Sequence, residues 1–347
     1  MTRALITGAG GFVGRNLVPA LQTAGREPIA MVHSEQSTHF FKDLDVETIV
    51  ADIRDVQRYR ERVGQVDEIY HLASVVAPRK AELAFDVNVH GTKLLAECIA
   101  RSMSPARMIY VSSLSASGPV VGEHARRESD TPSPVSIYGK SKRAAEQELI
   151  ALAQRAPISI VRPPGIFGPW DRNLLAMYQS IRKRVNVIGI SRRYRYSFVH
   201  VDDLTDGLIR VADQGKRLDA TTLDAGGGIY FISDPTPITF EELGNMIARS
   251  LDRPTPFHLT VPSTICWSVA FCADMASRLT GRRVYLNIDK MREARAGSWY
   301  CDVSKARDEL RFEVSRPLED RVVKRGDGTV NRVGCRCCAW SEMMPSR

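Results

Sequence analysis

The stretch Thr7-Gly8-Ala9-Gly10-Gly11-Phe12-Val13-Gly14 decides the fold of this chain. It follows an apolar run at residues 3–7, and behind it Leu17, Val18 and Leu21 recur with helical spacing. Glycines let the backbone approach a pyrophosphate closely and let the helix pack tightly on the strand, while the free N–H groups at the start of the helix attract the anion. The pattern therefore predicts a strand, a tight turn and a helix that together hold a dinucleotide.

Strand-like and helix-like patterns alternate along the first half of the chain, as a parallel sheet with crossover helices requires. We therefore predict an α/β fold, a Rossmann-type doubly wound parallel sheet with a smaller C-terminal substrate-binding lobe. The predicted strands lie at residues 3–7, 28–32, 46–50, 68–72, 107–112 and 157–161, and long helices at residues 81–103 and 136–155.

The alternation loosens after Phe167, which marks the predicted domain boundary. A strand at residues 197–201 is expected to return to the main sheet. The predicted division is an NAD(P)-binding Rossmann domain at residues 1–168 with 196–225 returning to it, a substrate-binding lobe at 169–195 and 226–321, and an atypical tail at 322–347. The tail has the composition of an unusual extension or a shifted reading frame, and we assign it no function.

A second motif, Tyr138-Gly139-Lys140-Ser141-Lys142, carries the candidate chemistry. Positions i and i+4 share a helix face, so the Lys142 ammonium favours the phenolate of Tyr138 by Coulomb attraction. A phenol with an ordinary pKa of about 10 then becomes a usable base near neutral pH. The predicted strand before this helix ends in Ser112 and Ser113. A hydroxyl at that edge can donate a hydrogen bond to a substrate carbonyl.

Composition and charge describe an ordinary soluble globular protein. The 347 residues are 44% hydrophobic and 25% charged, which is enough to bury a sizeable core. The net charge of +8 comes from dispersed Lys and Arg without a nucleic-acid-binding motif, so we predict no nucleic-acid partner. Two basic clusters, Arg182-Lys183-Arg184 and Arg192-Arg193-Tyr194-Arg195, are interpreted as solvated faces, with an anionic substrate or a membrane surface as the alternative.

The seven cysteines are an odd number and fit a reducing compartment, and no charged-then-apolar leader precedes the first strand. Cys335, Cys337 and Cys338 crowd into the tail, but they lack the paired spacing of a structural zinc site. We therefore predict a cytoplasmic protein with no bound metal.

Residues 259–279 raise the question of membrane contact. Their apolar core, residues 264–273, is ten residues long and cannot span a bilayer interior of about 30 Å. It is interpreted as a helix of the core or of the substrate pocket. The alternative is a helix at the membrane interface near a lipid substrate, which makes peripheral membrane contact a candidate interaction.

Taken in order, these motifs resemble the extended short-chain dehydrogenases/reductases, which are grouped with NAD-dependent epimerases and dehydratases. The resemblance covers about residues 3–320 and is strongest to the branch of 3β-hydroxysteroid dehydrogenases and ketoreductases. It rests on Thr7 to Gly14; Ala51-Asp52-Ile53; Ile69-Tyr70-His71-Leu72-Ala73; Asn88-Val89-His90-Gly91-Thr92; Val111-Ser112-Ser113; Tyr138 with Lys142; Val161-Arg162-Pro163-Pro164-Gly165-Ile166-Phe167-Gly168-Pro169; Phe198-Val199-His200-Val201-Asp202-Asp203-Leu204; and Cys301-Asp302-Val303-Ser304-Lys305-Ala306.

The resemblance implies a catalytic set. Tyr138 is the general acid/base that exchanges a proton with the substrate hydroxyl or ketone, and Lys142 lowers its pKa and holds the nicotinamide ribose. Ser113 polarises the carbonyl and stabilises the developing oxyanion, with Ser112 and Ser115 as competitors for that role.

Asn88 is a fourth implied catalytic residue. It either supports an active-site water or the helix geometry, or makes an ordinary polar contact on its helix. The sequence does not decide between these interpretations.

The resemblance also implies the cofactor contacts. The glycine turn follows the pyrophosphate, the third strand meets the adenine, and the fourth flanks the ribose and nicotinamide. His33 stands where an acid would bind both ribose hydroxyls, so strict NAD preference is not encoded. NADP and NAD both stay open, and NADP is slightly favoured. The implied contact residues are Gly8, Gly11, Phe12, Val13, His33, Asp52, Ile53, Leu72, Ala73, Ser74, Tyr138, Lys142 and Pro163.

Two positions bear on the substrate. Nucleotide-sugar enzymes of the family usually carry Asn where Gly165 stands and Arg where Tyr196 stands, and both contact the sugar diphosphate. Arg195 is one residue out of register, which on a strand points to the opposite face. The resemblance thus favours an NAD(P)-dependent oxidoreductase that interconverts a secondary alcohol and a ketone on a hydrophobic, steroid- or terpenoid-like molecule. A nucleotide-sugar 4-epimerase or dehydratase with tightly bound NAD is the alternative.

The resemblance further implies a homodimer. The helices predicted at residues 81–103 and 136–155 lie where the family commonly forms a four-helix interface. The expected apolar contacts are Leu83, Val87, Leu94, Leu95 and Leu149.

Overall fold

The computed structural model describes residues 1–76, 80–171, 173–219, 226–280 and 288–322, and its centre is a seven-stranded parallel sheet. The tail that follows Val322, with its three crowded cysteines, lies outside the described residues. The strands are β1 (Thr2–Thr7), β2 (Arg26–Val32), β3 (Glu47–Val50), β4 (Glu68–His71), β5 (Arg107–Val111), β6 (Ile158–Val161), β7 (Gly165–Phe167), β8 (Val185–Gly189), β9 (Arg195–Tyr196), β10 (Phe198–His200), β11 (Ile229–Tyr230), β12 (Ile238–Thr239) and β13 (Phe257–Val261).

The helices flank this sheet and build the lobe beyond it. They are α1 (Phe12–Thr23), α2 (Arg60–Val63), α3 (Ala81–Phe85), α4 (Thr92–Ala100), α5 (Leu114–Ser117), α6 (Ile137–Ala151), α7 (Asn173–Arg182), α8 (Val201–Gln214), α9 (Phe240–Ser250), α10 (Ser263–Thr280), α11 (Ile288–Arg295), α12 (Ser304–Leu310) and α13 (Leu318–Arg321). Short 3₁₀ segments occur at Glu35–Phe41 and Val56–Arg58, and a π-helical segment at Asp86–Gly91 joins α3 to α4.

The sheet order is β11-β6-β5-β4-β1-β2-β3, and every pairing within it is parallel. Its central strands are apolar on both faces because helices cover both sides. Helices α1 and α8 pack on one face, and α4 and α6 on the other. The order reverses beside β1, which opens a crevice at the carboxyl ends of β1 and β4. The predicted Rossmann-type fold is confirmed.

The strand expected to bring the chain back to the main sheet does not join it. Strand β10 pairs with β7 in a separate two-stranded parallel sheet, so the prediction for residues 197–201 is wrong. The helix after it, α8, does return and packs on the main sheet. The seventh strand is β11, which pairs with β6 and comes from the region predicted as the substrate lobe. A strand of two residues carries too little periodicity to be recognised in the sequence. The division into two domains stays a prediction.

Two predicted interface residues lie in the core. Leu95 and Leu149 are fully buried between the sheet and the helices, so they cannot form the expected dimer contacts. Leu83, in contrast, is exposed. The helical period alone does not tell which apolar residue of a helix faces its own sheet and which faces a partner.

Helix α10 is also different from the core or pocket helix predicted for residues 259–279. Ala270 is buried, but Ile265, Val269 and Phe271 are exposed. Within the described residues, no helix is long and apolar enough to cross a membrane.

Candidate active site

The glycine-rich turn has the shape that a dinucleotide requires. Gly8 has φ of +70°, and a Cβ there would lie 2.7 Å from the backbone nitrogen of Ala73. A Cβ on Gly14 would lie 2.5 Å from Cα of Ala9, so α1 packs on the turn only because this residue is glycine. Helix α1 starts after Gly11 without a side-chain cap. Its first N–H groups are therefore available to a phosphate, with Phe12 and Val13 in the first turn.

The predicted adenine contacts, Asp52 and Ile53, follow β3, and His33, which is predicted to lie near the adenine ribose, follows β2. His33 is exposed, and its Nδ1 is 3.9 Å from Oδ2 of Asp52. Asp52 is held by Arg54 at 2.6 Å, and this hydrogen bonding lowers the pKa of the carboxyl to about 2. Ile53 is buried, and its Cγ2 would lie 2.6 Å from a Cβ on Gly91. Only His33 and Asp52 of these three therefore present polar atoms at this edge.

The residues after β4 are held in place by hydrogen bonds from their backbone to Thr7. The Leu72 N–H donates to the carbonyl of Thr7 at 3.1 Å, and the Ala73 N–H donates to its hydroxyl at 3.3 Å. That hydroxyl also lies 2.6 Å from Nδ1 of the fully buried His71. Burial lowers the pKa of His71 to about 3, so the imidazole is neutral. This His71 link between β1 and β4 was not predicted.

Asn88 connects the same edge to helix α6. Its Oδ1 accepts from the Ser74 hydroxyl at 3.1 Å and from the Val75 N–H at 2.7 Å. Its Nδ2 donates to the Val75 carbonyl at 3.1 Å and to Ser141 Oγ at 2.9 Å. Asn88 lies in the π-helical segment, a feature frequent at functional sites. Its amide is thus engaged with protein groups on both sides.

Tyr138 and Ser113 come from adjoining helices. Tyr138 is buried in the first turn of α6, and a Cβ on the following Gly139 would lie 2.3 Å from the carbonyl oxygen of Ser115. The glycine therefore allows α6 to lie directly against α5, which starts after Ser113. Ser112 is excluded as the carbonyl donor because its hydroxyl donates to Glu146 at 2.6 Å. The Ser113 hydroxyl, by contrast, accepts the Ser115 N–H at 3.1 Å and keeps its own proton to donate.

Lys142 follows Tyr138 by one turn of α6 and is buried, with 2% of its surface exposed. Its Nζ donates to the Val111 carbonyl at 2.7 Å and stands 4.7 Å from the centre of the Tyr110 ring. Burial lowers the pKa of Lys142 to about 7, while the Glu146 carboxylate opposes that shift. The ammonium is thus held at the carboxyl end of β5 without an ion-pair partner in direct contact among the described residues.

A buried ion pair joins helix α6 to the end of β6. Glu146, one turn beyond Lys142, accepts from Arg162 Nε at 2.8 Å and Nη2 at 2.7 Å. Burial alone would raise the pKa of Glu146, but Arg162 holds it below its usual range. Arg162 also donates to Ser117 at 3.0 Å, and the carbonyl of the buried Pro163 accepts the Leu114 N–H at 2.9 Å. This ion pair between Arg162 and Glu146 was not predicted from the sequence.

Helix α11 of the lobe docks on the first turn of α6. Asp289 accepts the N–H groups of Ile137 at 2.7 Å and Tyr138 at 3.2 Å, and Glu293 accepts the Ser136 hydroxyl at 2.6 Å. A carboxylate at a helix N-terminus is stabilised by the unpaired N–H groups and the helix dipole. Asp289 thus ties the lobe to the backbone of the candidate catalytic tyrosine. No local pattern in the sequence signals a contact across 151 residues.

An aromatic cluster stands where the resemblance places the sugar-diphosphate contacts. A Cβ on Gly165 would lie 2.9 Å from Cδ1 of Phe198, so the phenyl ring fills the space of a larger residue. Phe240 lies 4.6 Å from the Tyr196 ring and 6.2 Å from the Phe198 ring, centre to centre. Arg195 points away and lies 4.0 Å from Glu242. The rings of Tyr196, Phe198 and Phe240 thus form a mainly apolar wall beside Gly165, and Phe198 and Phe240 also pack against the core of the lobe.

Metal ligation has no support in the part of the chain that the structure describes. No group of three or more His, Cys, Asp or Glu side chains there could hold an ion.

Comparison with known proteins gives one family. The sequence profile of the NAD dependent epimerase/dehydratase family matches residues 4–226. The chain is 34% identical to the ceramide reductase of Caulobacter vibrioides over 205 residues, which are 59% of each protein. It is 28% identical to sterol demethylase protein B of Methylococcus capsulatus, over 88% of this chain and 92% of that protein.

The comparison also includes a lipid-linked sugar enzyme and nucleotide-sugar complexes. The chain is 26% identical to the N-acetyl-alpha-D-glucosaminyl-diphospho-ditrans,octacis-undecaprenol 4-epimerase of Escherichia coli O157:H7, over 80% of this chain and 81% of that protein. Among solved structures, MoeE5 in complex with UDP-glucuronic acid and NAD superimposes with a TM-score of 0.71 at 22% identity, over 93% of this chain and 97% of that one. The latter likeness shows the fold.

Proposed function

The chain belongs to the NAD-dependent epimerase/dehydratase family, and from that premise we propose that it is an NAD(P)-dependent oxidoreductase that interconverts a secondary alcohol and a ketone on a hydrophobic substrate. The apolar wall of Tyr196, Phe198 and Phe240 beside Gly165 is the observation that carries the proposal. A diphosphate placed against it would lose its hydration without gaining matched donors, and unpaired buried charge is costly.

The proposed mechanism assigns one task to each side chain. In the direction of reduction, the cofactor supplies the hydride, and the Tyr138 hydroxyl donates the proton that the carbonyl oxygen takes up. Ser113 donates a hydrogen bond to the same oxygen and stabilises its developing charge. Lys142 favours the tyrosinate that remains by Coulomb attraction, and it holds the nicotinamide ribose. In the reverse direction the Tyr138 phenolate accepts the hydroxyl proton of the alcohol, and the oxidised cofactor would take up the hydride.

The cofactor residues fit this role. Glycine is required sterically at Gly8 and Gly14, and the uncapped start of α1 suits a pyrophosphate. We propose that NADP is accepted as well as NAD, because His33 rather than an acid stands at the end of β2 and would not repel a 2′-phosphate. At least tenfold tighter binding of NADH than of NADPH would overturn the slight preference for NADP that the sequence favours.

Relatives that act on lipids support the class of substrate. Their names describe a ceramide reductase and a sterol demethylase protein. A 4-epimerase is the second candidate, since a relative with that activity matches four fifths of the chain. Its cycle would use the same Tyr138 and Lys142, with NAD retained through purification.

Two measurements on the purified protein decide between the candidates. Reduction of steroid, terpenoid and long-chain ketones is followed with NADH and with NADPH. Binding of UDP is measured by calorimetry. The proposal predicts turnover of an apolar ketone and a dissociation constant for UDP of about 1 mM or weaker, or about 4 kcal/mol at most. Micromolar binding of a UDP-sugar would defeat the proposal and favour the epimerase.

A further inference from the structure

The two-stranded sheet of β8 and β13 presents an apolar face to solvent. The strands are parallel, with Phe257 paired to Val185 and Leu259 paired to Val187. Because side chains alternate along a strand, Asn186 and Ile188 of β8 are buried on one face, while Val187, Phe257 and Leu259 on the other are exposed. A conventional surface strand would place polar residues there.

Helix α10, which follows β13 after Pro262, is also apolar on its outer side. Ile265, Val269, Phe271 and Met275 are exposed, while Ala270 on the inner side is fully buried. Together with the three sheet residues, these side chains are 43% to 69% exposed. Among the side chains of α10 that the structure describes, the other exposed ones, Thr264, Ser268 and Cys272, are uncharged. Since an ordinary surface helix turns its apolar side inward, this arrangement indicates a binding surface.

Basic residues lie at the start of the two strands that form the β8–β13 face. Arg182, Lys183 and Arg184 are exposed and lead directly into β8, and the Arg184 carbonyl accepts the Phe257 N–H at 2.8 Å. The basic run therefore adjoins the start of both strands. Within the described residues, no carboxylate forms an ion pair with any of these three side chains. At the other end, Arg192 donates to the Thr260 hydroxyl at 2.7 Å and lies 3.6 Å from Glu241.

We propose that this face docks on a phospholipid bilayer that contains anionic lipids. Apolar side chains beside exposed cations match an interface in which acyl chains lie beneath negative headgroups. A second copy of the chain would bring the same basic border against itself. The segment 323–347 carries five basic and two acidic residues, so its net positive charge would also be repelled by the basic border. Docking would lie in the plane of the membrane, since no described helix is able to span it.

The test is sedimentation of the full chain with vesicles of phosphatidylcholine, alone or with about one third phosphatidylglycerol. We expect binding to the mixed vesicles, weak binding to phosphatidylcholine alone, and weakening by added salt. Each Lys or Arg near an anionic surface strengthens binding about fivefold. Neutralising the border with Arg182→Gln, Lys183→Gln and Arg184→Asn should therefore weaken binding about a hundredfold.

A second variant, Phe257→Ser with Leu259→Ser, tests the apolar contribution and should also release the protein from vesicles. These side chains are exposed, so the fold is expected to persist, as circular dichroism would check. The matched controls are Lys42→Gln, Arg155→Gln and Arg217→Gln for the loss of three charges, and Met103→Ser with Val121→Ser for exposed apolar residues.

Equal weakening by the control and the border variants would reduce the effect to net charge and overturn the proposal. So would no binding to either vesicle. If the parent protein does not bind vesicles, and Phe257→Ser with Leu259→Ser converts a dimer to a monomer, this face is a contact between copies of the chain instead. The outcome is independent of the proposed reaction, because vesicle binding needs neither cofactor nor turnover.

Discussion

Replacing Lys142 with Met should stabilise the cofactor-free protein while it damages function. Burial lowers the pKa of Lys142 to about 7, against about 10.4 for an unfolded lysine. At about 1.4 kcal/mol for each pKa unit, the buried ammonium costs the folded state about 4 kcal/mol near pH 7. Methionine removes this cost but leaves the Val111 carbonyl without its donor, which costs about 1–3 kcal/mol. The expected net gain is about 1–3 kcal/mol in the free energy of unfolding.

The gain should depend on pH in a defined direction. Between about pH 7 and about pH 10, the unfolded lysine binds a proton that the folded lysine has released, so the stability of the parent protein rises with pH. Below that window both states hold the proton and the cost is constant. Above it neither state holds the proton and the cost disappears. The advantage of Lys142→Met is therefore largest near pH 7 or below and is lost by about pH 10.

Urea unfolding at a series of pH values measures the difference between the parent and Lys142→Met. Lys140→Met is the control, because Lys140 is exposed on the same helix. Parallel curves for the parent and Lys142→Met across the window would refute the reasoning. Titration with reduced cofactor should show weaker binding to Lys142→Met and slower turnover. A loss of turnover alone would remove Lys142 from the ribose role.

Three further predictions concern the buried ion pair, the contact of α11 with α6, and the oligomeric state. Arg162→Met leaves Glu146 buried with Arg143, at 3.1 Å, as its remaining cationic partner, and should cost up to about 3–5 kcal/mol in urea unfolding. Glu146→Leu added to it should recover most of the loss, and a cost below about 1 kcal/mol would show that the pair is not structural. Asp289→Asn loosens the first turn of α6, so turnover should fall about tenfold with cofactor affinity retained, and parallel losses of both would argue against a positioning role. Leu83→Lys with Phe85→Lys should convert the proposed homodimer to a monomer by light scattering, and a parent that is already monomeric at micromolar concentration would contradict the dimer.

The sequence predicted the features that depend on local periodicity. The glycine spacing from Gly8 to Gly14 indicated β1, the turn and α1, and the i, i+4 pair of Tyr138 and Lys142 was placed correctly on one helix. The start of α6 at Ile137 follows from the Ser136 cap, whose hydroxyl accepts the Gly139 N–H. These features need only neighbours within a few residues.

The features that were missed depend on long-range contacts. Asp289 reaches α6 across 151 residues, and β11 is too short to show a pattern. The pairing of Arg162 with Glu146 lies between a strand end and a helix, so no single period describes it. The exposure of α10 agrees with the alternative interpretation rather than with a core helix, because an apolar sequence alone does not distinguish a core helix from a helix that binds a surface.

The proposed function depends on proton transfer from Tyr138 to an apolar ketone. Consumption of the reduced cofactor is followed with the best ketone for the parent protein and for Tyr138→Phe, together with cofactor affinity. The account predicts turnover lower by a factor of about 10² to 10⁴ in the variant, with cofactor binding nearly intact. Retained turnover in Tyr138→Phe would contradict it.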